Sequence, residues 1–271
     1  MGHCWTARPK CSGTYSPGGW PACRPAETPM SAAFPQRSTG LVGKALLVFF
    51  LVSVARASGA TDAWSRAIER GDCVQMARLL EQGAAPERPS LRGKTALMAA
   101  AGRACLDLVE ALIARGVPVD ATNPRHGTAL MYAVIGGDPR VVSALIRAGA
   151  DVDRQGANGW GPLMIAAAKG RTKILGQLLD AGADPNLRDM FGWTPLMRAA
   201  FEGRTDTVRR LLAEPRVQIN ARDYNGATVL HHVAAKGDRA LWDLLVAAGA
   251  DPEIRDLRGR RPEPPAVQTR P

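Results

Sequence analysis

Two kinds of apolar segment alternate along the chain. One is short and alanine-rich, with pairs such as Ala166-Ala167 and Ala199-Ala200. The other carries apolar doublets four residues apart: Leu108-Val109 with Leu112-Ile113, Val141-Val142 with Leu145-Ile146, and Ile174-Leu175 with Leu178-Leu179. Doublets at that spacing put one apolar face on a helix, while alanine pairs keep the other helix thin enough for neighbours to stack. Start and stop signals bracket both kinds. Thr194 precedes Pro195-Leu196-Met197, so a hydroxyl stands ready to accept from an orphan N–H, and proline at the first helical turn removes no useful donor. Gly-Ala-Asp at 149–151, 182–184 and 249–251 closes the second helix, because glycine enters the left-handed cap without strain. The pattern predicts an all-α chain of helix pairs joined by tight turns.

The signals recur. Thr95, Thr128, Gly161, Thr194 and Thr228 begin equivalent segments at intervals of 33, 33, 33 and 34 residues. Nine residues after each stand Ala104, Gly137, Gly170, Gly203 and Gly237, and 21 residues after each stand Gly116, Gly149, Gly182, Pro215 and Gly249. With this period and motif the chain resembles the ankyrin repeat, a β-turn followed by two antiparallel helices. The same register places a divergent first unit at Asp62-Ala63-Trp64-Ser65, suited to a solenoid end that meets water. Six repeats are expected, at about 61–90, 91–123, 124–156, 157–189, 190–222 and 223–255, within a domain spanning 58–258. A seventh turn opens at Asp256-Leu257-Arg258-Gly259, but Pro262, Pro264 and Pro265 forbid helices after it, so 259–271 is expected to be a disordered tail. An extra residue near Glu214-Pro215-Arg216 predicts a local bulge. The family's tetrapeptide usually ends in a histidine that hydrogen-bonds near the threonine and bridges repeats. Here Met98, Met131, Met164 and Met197 replace it, and His231 alone keeps it. Methionine fills space but offers no polar link, which predicts less rigid joints.

Charge changes the picture little. The net charge of +10 falls to +5 over 58–271, since removing six basic residues and Glu27 from totals of 35 and 25 leaves 29 basic and 24 acidic. Those charges alternate in sign along the repeats, whereas nucleic-acid binding asks for a one-sided basic stripe, so no nucleic-acid partner is expected. Residues 30–57 read as a secretory signal: Arg37 and Lys44, an 11-residue apolar run from Ala45 to Ala55, and Ala55-Arg56-Ala57 before Ser58 as the cleavage point. A run of that length is too short to span a bilayer, so the expectation is a periplasmic or secreted protein without a stable membrane anchor. Residues 1–29 have no periodicity, which points to Met30 as the initiator or to an unusually long leader. Of five cysteines, Cys73 and Cys105 follow the signal, at the starts of second helices in adjacent repeats and one residue out of register. An oxidising compartment permits a bridge. Neighbouring helices pack about 10 Å apart, beyond disulfide reach, so two free buried thiols are expected.

No catalytic constellation, metal site or cofactor motif stands out; glycine-rich points such as Gly159-Trp160-Gly161 lack a phosphate-loop lysine. His231 reads as a scaffold residue and His232 as a contact on the concave face. Ankyrin scaffolds bind proteins through turn tips and first helices, which implies that positions outside the fixed motif are the informative ones. Here these are Trp160, Met190, Phe191, Trp193, Phe201, Tyr224 and Asn225, with Ile165, Arg198 and His232 on the helices. Aromatic clusters flanked by arginine mark binding surfaces; packing against the next turn is the alternative for Trp160 and Trp193. Arg125, Arg188, Arg222 and Arg258 add a positive rim suited to an acidic partner. With 25 Arg against 4 Lys over 58–271, the chain resembles bacterial periplasmic ankyrin-repeat proteins, a group linked to protecting other exported proteins, catalases among them. The resemblance implies a monomeric, non-enzymatic scaffold for another protein. Two further readings are a secreted effector acting on host proteins and a neutraliser of an exported toxin.

Overall fold

The computed structural model describes residues 63–266. The expected leader 1–29, the signal 30–57 with its cleavage point at Ala57 and Ser58, the first repeat's opening at Thr61-Asp62, and residues 267–271 lie outside the described residues.

Helices follow one another in pairs: α1 at 63–70 with α2 Cys73–Glu81, α3 Ala96–Gly102 with α4 Leu106–Ala114, α5 Ala129–Gly136 with α6 Pro139–Arg147, α7 Pro162–Lys169 with α8 Thr172–Asp180, α9 Pro195–Phe201 with α10 Thr205–Leu212, and α11 Val229–Lys236 with α12 Arg239–Ala247. No strand is present among the described residues. The predicted caps form as read. The hydroxyls of Thr95, Thr128 and Thr194 accept from the backbone N–H of Met98, Met131 and Met197, and Pro162 and Pro195 occupy first-turn positions. One leucine in each first helix from α3 onward (Leu97, Leu130, Leu163, Leu196 and Leu230) lies at most 2% exposed in a continuous core. Each such side chain is worth about 1.5–3 kcal/mol of burial, and the alanines around it let consecutive first helices stack.

The four tetrapeptide methionines are buried in this core, between 0% and 5% exposed. His231 shows what they lack. Its Nδ1 accepts from the Thr228 N–H at 3.1 Å, and its Nε2 reaches the Arg260 carbonyl of the next turn at 3.1 Å. The other joints carry polar links elsewhere. In the loops between repeats, Asp120 accepts from the Asp151 N–H, Asp153 from Asp184, Asn186 from Gln218 and Asn220 from Asp251, at 2.8–3.0 Å. At the hairpins, Gln155 donates to the Arg188 carbonyl, Arg188 to that of Arg222 and Arg222 to that of Arg255. The loss of polar joints anticipated from methionine is therefore compensated at the loop and hairpin edges.

Three expectations need correcting. Cys73 and Cys105 are joined by a disulfide, with Cα atoms 6.4 Å apart, and both are half-buried. The spacing of helix axes does not limit residues at helix starts. Cys73 is the first residue of α2 and Cys105 the N-cap of α4, and this one-residue offset turns the side chains toward each other. The same row touches again where the Thr172 and Thr207 hydroxyls meet at 3.0 Å. Ala104, just before Cys105, holds the left-handed conformation that glycine takes at the equivalent points. Second, the proline-rich segment stays on the last repeat as far as residue 266: Pro262 and Pro265 are buried, and Arg239 donates to the Pro265 carbonyl. Third, Ile165 is only 7% exposed, so it belongs to the core and not to a contact surface. The extra residue near Pro215 is absorbed where α10 ends, with the Val217 N–H bonding the Glu214 carbonyl.

The bridge closes a loop between residues 32 apart. Reducing it, or making Cys73→Ser with Cys105→Ser, should lower the unfolding free energy by about 3–4 kcal/mol. Urea denaturation with and without reductant measures this, and coincident curves would show the bridge to be energetically silent.

Candidate hairpin surface

The hairpins at 123, 189, 223 and 256 are each built on one polar side chain, buried at Asp189, Asp223 and Asp256 and half-buried at Asn123. Asp189 Oδ1 accepts from the N–H groups of Phe191 and Trp193, both at 2.9 Å, while the Asp189 N–H closes the hairpin on the Trp193 carbonyl. Asp223 treats Asn225 and Ala227 in the same way, Asp256 does so with Arg258 and Arg260, and Asn123 with Arg125 and Gly127. The aspartates are 2–6% exposed. Buried carboxylates need partners, and the second oxygen finds one: Arg198 for Asp189 at 2.6 Å, His232 for Asp223 at 3.1 Å and Arg260 for Asp256 at 2.7 Å. Burial pushes Asp256 up, but the Arg260 and Arg258 bonds outweigh it and hold this carboxyl down at about 2. These anchors recur five residues before each repeat's starting threonine, a signal present in the sequence.

The anchors' partners are themselves stacked. The Arg198 guanidinium lies 4.9 Å from the Trp160 ring and 4.2 Å from the Trp193 ring. On its other side Trp193 packs against His232 at 4.0 Å and edge-on against Phe201 at 5.1 Å, and the Lys236 ammonium sits 4.0 Å over Phe201. Lys94 over Tyr132 occupies the register of Trp160 and Arg198 two repeats earlier, with cation and ring exchanged. Trp160, Trp193, Arg198, Phe201 and His232 thus come together as one half-buried ladder that joins repeats, each turn's fifth residue resting on the next first helix. For the two tryptophans, the packing alternative holds.

The remaining expected contact residues stand apart on the hairpin tips. Met190, Phe191 and Tyr224 are 60%, 53% and 64% exposed, and Asn225 is exposed beside them. Leu257, 74% exposed, continues the line, and Leu91 begins it far along the solenoid. Neither was singled out from the sequence, although both stand one residue past an anchor, the register of Met190 and Tyr224. Successive tips are hydrogen-bonded, Tyr224 N–H to the Phe191 carbonyl and Leu257 N–H to the Asn225 carbonyl. Gly192 makes room for this: it has φ +80°, and a Cβ there would lie 2.7 Å from the Tyr224 nitrogen. Around the tips, exposed Arg188, Arg222, Arg255 and Arg258 join no ion pair among the described residues. Among the described residues no cluster of three or more His, Cys, Asp or Glu could hold a metal ion, and no helix is long and apolar enough to cross a membrane.

The model for ankyrin repeats (three copies) matches residues 64–156, 104–189 and 163–256, and the chain belongs to the ankyrin-repeat family. Such repeats generally mediate protein–protein interaction, and no enzymatic family is indicated. Among solved structures the chain is similar to the ankyrin repeat domain of Bcl-3, a unique member of the IkappaB protein family. The TM-score is 0.65 at 24% identity, covering 74% of this chain and 91% of that one, a likeness of fold. No curated protein matches the sequence.

Burial lowers the pKa of His232 from its ordinary 6.5, against the opposing pull of Asp223, while His231 and Arg198 add to the lowering. The folded value therefore lies below the unfolded one. Above 6.5 the imidazole is neutral in both states and its contribution to stability is unaffected by pH. As pH falls through 6.5 the unfolded chain takes up the proton first, so stability declines until the folded pKa is passed. Urea midpoints from about pH 8 to about pH 5 should fall for the wild type and less for His232→Gln; parallel profiles would exclude His232 as the source.

Proposed function

We propose that the chain is an exported, non-enzymatic scaffold that binds another protein through the hairpin tips of repeats five and six and of the turn after them. One observation carries this reading: large apolar side chains stand exposed on three successive hairpins, each fixed by a buried aspartate and bonded to its neighbour. Met190, Phe191, Tyr224 and Leu257 contribute nothing visible to the core, and exposed apolar clusters of this kind mark interaction sites. Their cradle is already ordered, so a partner need not immobilise it. The polar side chains nearby are engaged in hairpin structure, which favours binding over catalysis.

An oxidising compartment fits two independent features. Residues 30–57 have the composition of a secretory signal, and the Cys73–Cys105 bridge is of the kind that persists outside reducing cytoplasm. Exported protein should begin at Ser58 and contain no alkylatable thiol. Mass spectrometry of the periplasmic or secreted fraction after alkylation tests both; a chain retained in the cytoplasm, or reduced there, contradicts the export reading.

Trp193 is half-buried against Phe201 and His232, so replacing it would disturb the stack as well as any surface. Phe191→Ala with Tyr224→Ala removes exposed area alone. The pair should leave the unfolding free energy within about 0.5 kcal/mol of wild type and weaken retention of the partner by at least about ten-fold. Retention at wild-type level on immobilised variant would move the binding site away from these tips.

A further inference from the structure

We infer that the segment seated on this ridge is extended and acidic, with apolar side chains at every third residue. The inference rests on the binding reading above and adds to it the chemistry of the partner. Three observations carry it: the charge left over at the tips, the row of apolar side chains between those charges, and the interval at which both recur.

The hairpins of the last repeats share the run Arg-Asp followed by an apolar residue, at Arg188-Asp189-Met190, Arg222-Asp223-Tyr224 and Arg255-Asp256-Leu257. The aspartates point inward and are buried, while the arginines are exposed. Asp189 and Asp256 are neutralised from within by Arg198 and Arg260. Asp223 is hydrogen-bonded by an imidazole held toward its neutral form, and is the one carboxylate of the three without a formal cation of its own. The outward guanidiniums meet carbonyl oxygens: Arg188 that of Arg222, Arg222 that of Arg255, and Arg255 that of Gly259. A carbonyl satisfies a donor but leaves the positive charge unbalanced. With Arg258, this row surrounds the apolar ridge with cations that an acidic partner would neutralise.

The interval selects the backbone of the partner. Stacked helix layers lie about 8–10 Å apart, and equivalent tips follow the layers. A strand returns a side chain to the same face about every 7 Å. A polyproline-II-like chain does so every third residue, at about 9 Å. That matches Met190, Tyr224 and Leu257 in turn, and places the intervening acidic residues over the arginine row and Arg258. An α-helix reaches a similar spacing only every seventh residue, which leaves most of its acidic side chains away from the ridge.

The test is a fluorescence titration of the oxidised chain with four synthetic peptides of equal length. One repeats Leu-Glu-Asp; a second replaces Glu and Asp with Gln and Asn; a third replaces them with Lys; a fourth has the acidic composition with leucine every seventh residue. The first should bind at least about ten-fold more tightly than each of the others, and weaken as salt rises from about 0.05 M to about 0.3 M. Arg258→Glu, at a side chain that makes no hydrogen bond or ion pair among the described residues, should lose about ten-fold for the first peptide. Arg188→Lys with Arg222→Lys keeps the charge and should retain binding. Equal affinity for the acidic and amide peptides, abolished by Phe191→Ala with Tyr224→Ala, would overturn the acidic partner and leave the ridge standing. Tighter binding of the fourth peptide, or of none, overturns the inference; retention of a protein partner unaffected by those two alanines removes the reading on which it rests.

Discussion

The buried side chain at the base of each hairpin is the constraint on which the other features depend. A carboxylate placed in a protein interior is unfavourable unless its oxygens are filled. Asp189 and Asp223 fill one oxygen with two backbone N–H groups of their own turn and the other with Arg198 or His232 from the following helix. Local turn and first helix therefore become one unit. The tip is then held at a fixed height above the stack, and the fifth hairpin residue is brought down onto the next repeat. Where the anchor's side chain is absent, at Gly156, the hairpin still closes through Gly156 N–H to the Trp160 carbonyl, and Ile165 takes the helix position as a core residue.

Helix pairs, caps and core were legible because they follow from local rules repeated six times. Thr194 and Pro195 start a helix wherever they occur, and apolar doublets four residues apart have one burial solution. The candidate surface was only partly legible, because aromatic character does not say which way a hairpin residue faces. Phe191 and Trp193 are two residues apart on the same turn. The first is held outward at the tip; the second is returned to the stack, where Arg198, Phe201 and His232 receive it. Distinguishing them required the anchor, whose recurrence at Asn123, Asp189, Asp223 and Asp256 is less regular than that of the threonines. The cysteines were misjudged for a related reason: layer spacing describes helix axes, and the contact lies between helix starts.

The methionine tetrapeptides acquire a different meaning in this light. With Met98, Met131, Met164 and Met197 in the core, the interior of each joint becomes apolar, and directional bonds between repeats move to the loops and hairpins. Interior packing is tolerant of shape, whereas hydrogen bonds at the periphery act over a longer lever against rotation of one repeat on the next. The pattern thus combines an adaptable core with a fixed edge.

On the proposed reading that fixed edge is also the surface for recognition, so structure and binding would draw on the same residues. Arg188 and Arg222 join successive hairpins through carbonyl oxygens and leave their charge unspent. A carboxylate in their place would lose both functions, and a lysine would keep the charge while surrendering the planar geometry that suits the bond. Leu257 extends the ridge onto a turn that no helix follows among the described residues, held by Asp256, by Arg260 and by the His231 contact to the Arg260 carbonyl. The one repeat that keeps its histidine is thus the one followed, among the described residues, by a turn without a helix pair. This gives the retained His231 a structural role: it supplies a polar bridge to a turn that no described helix pair backs.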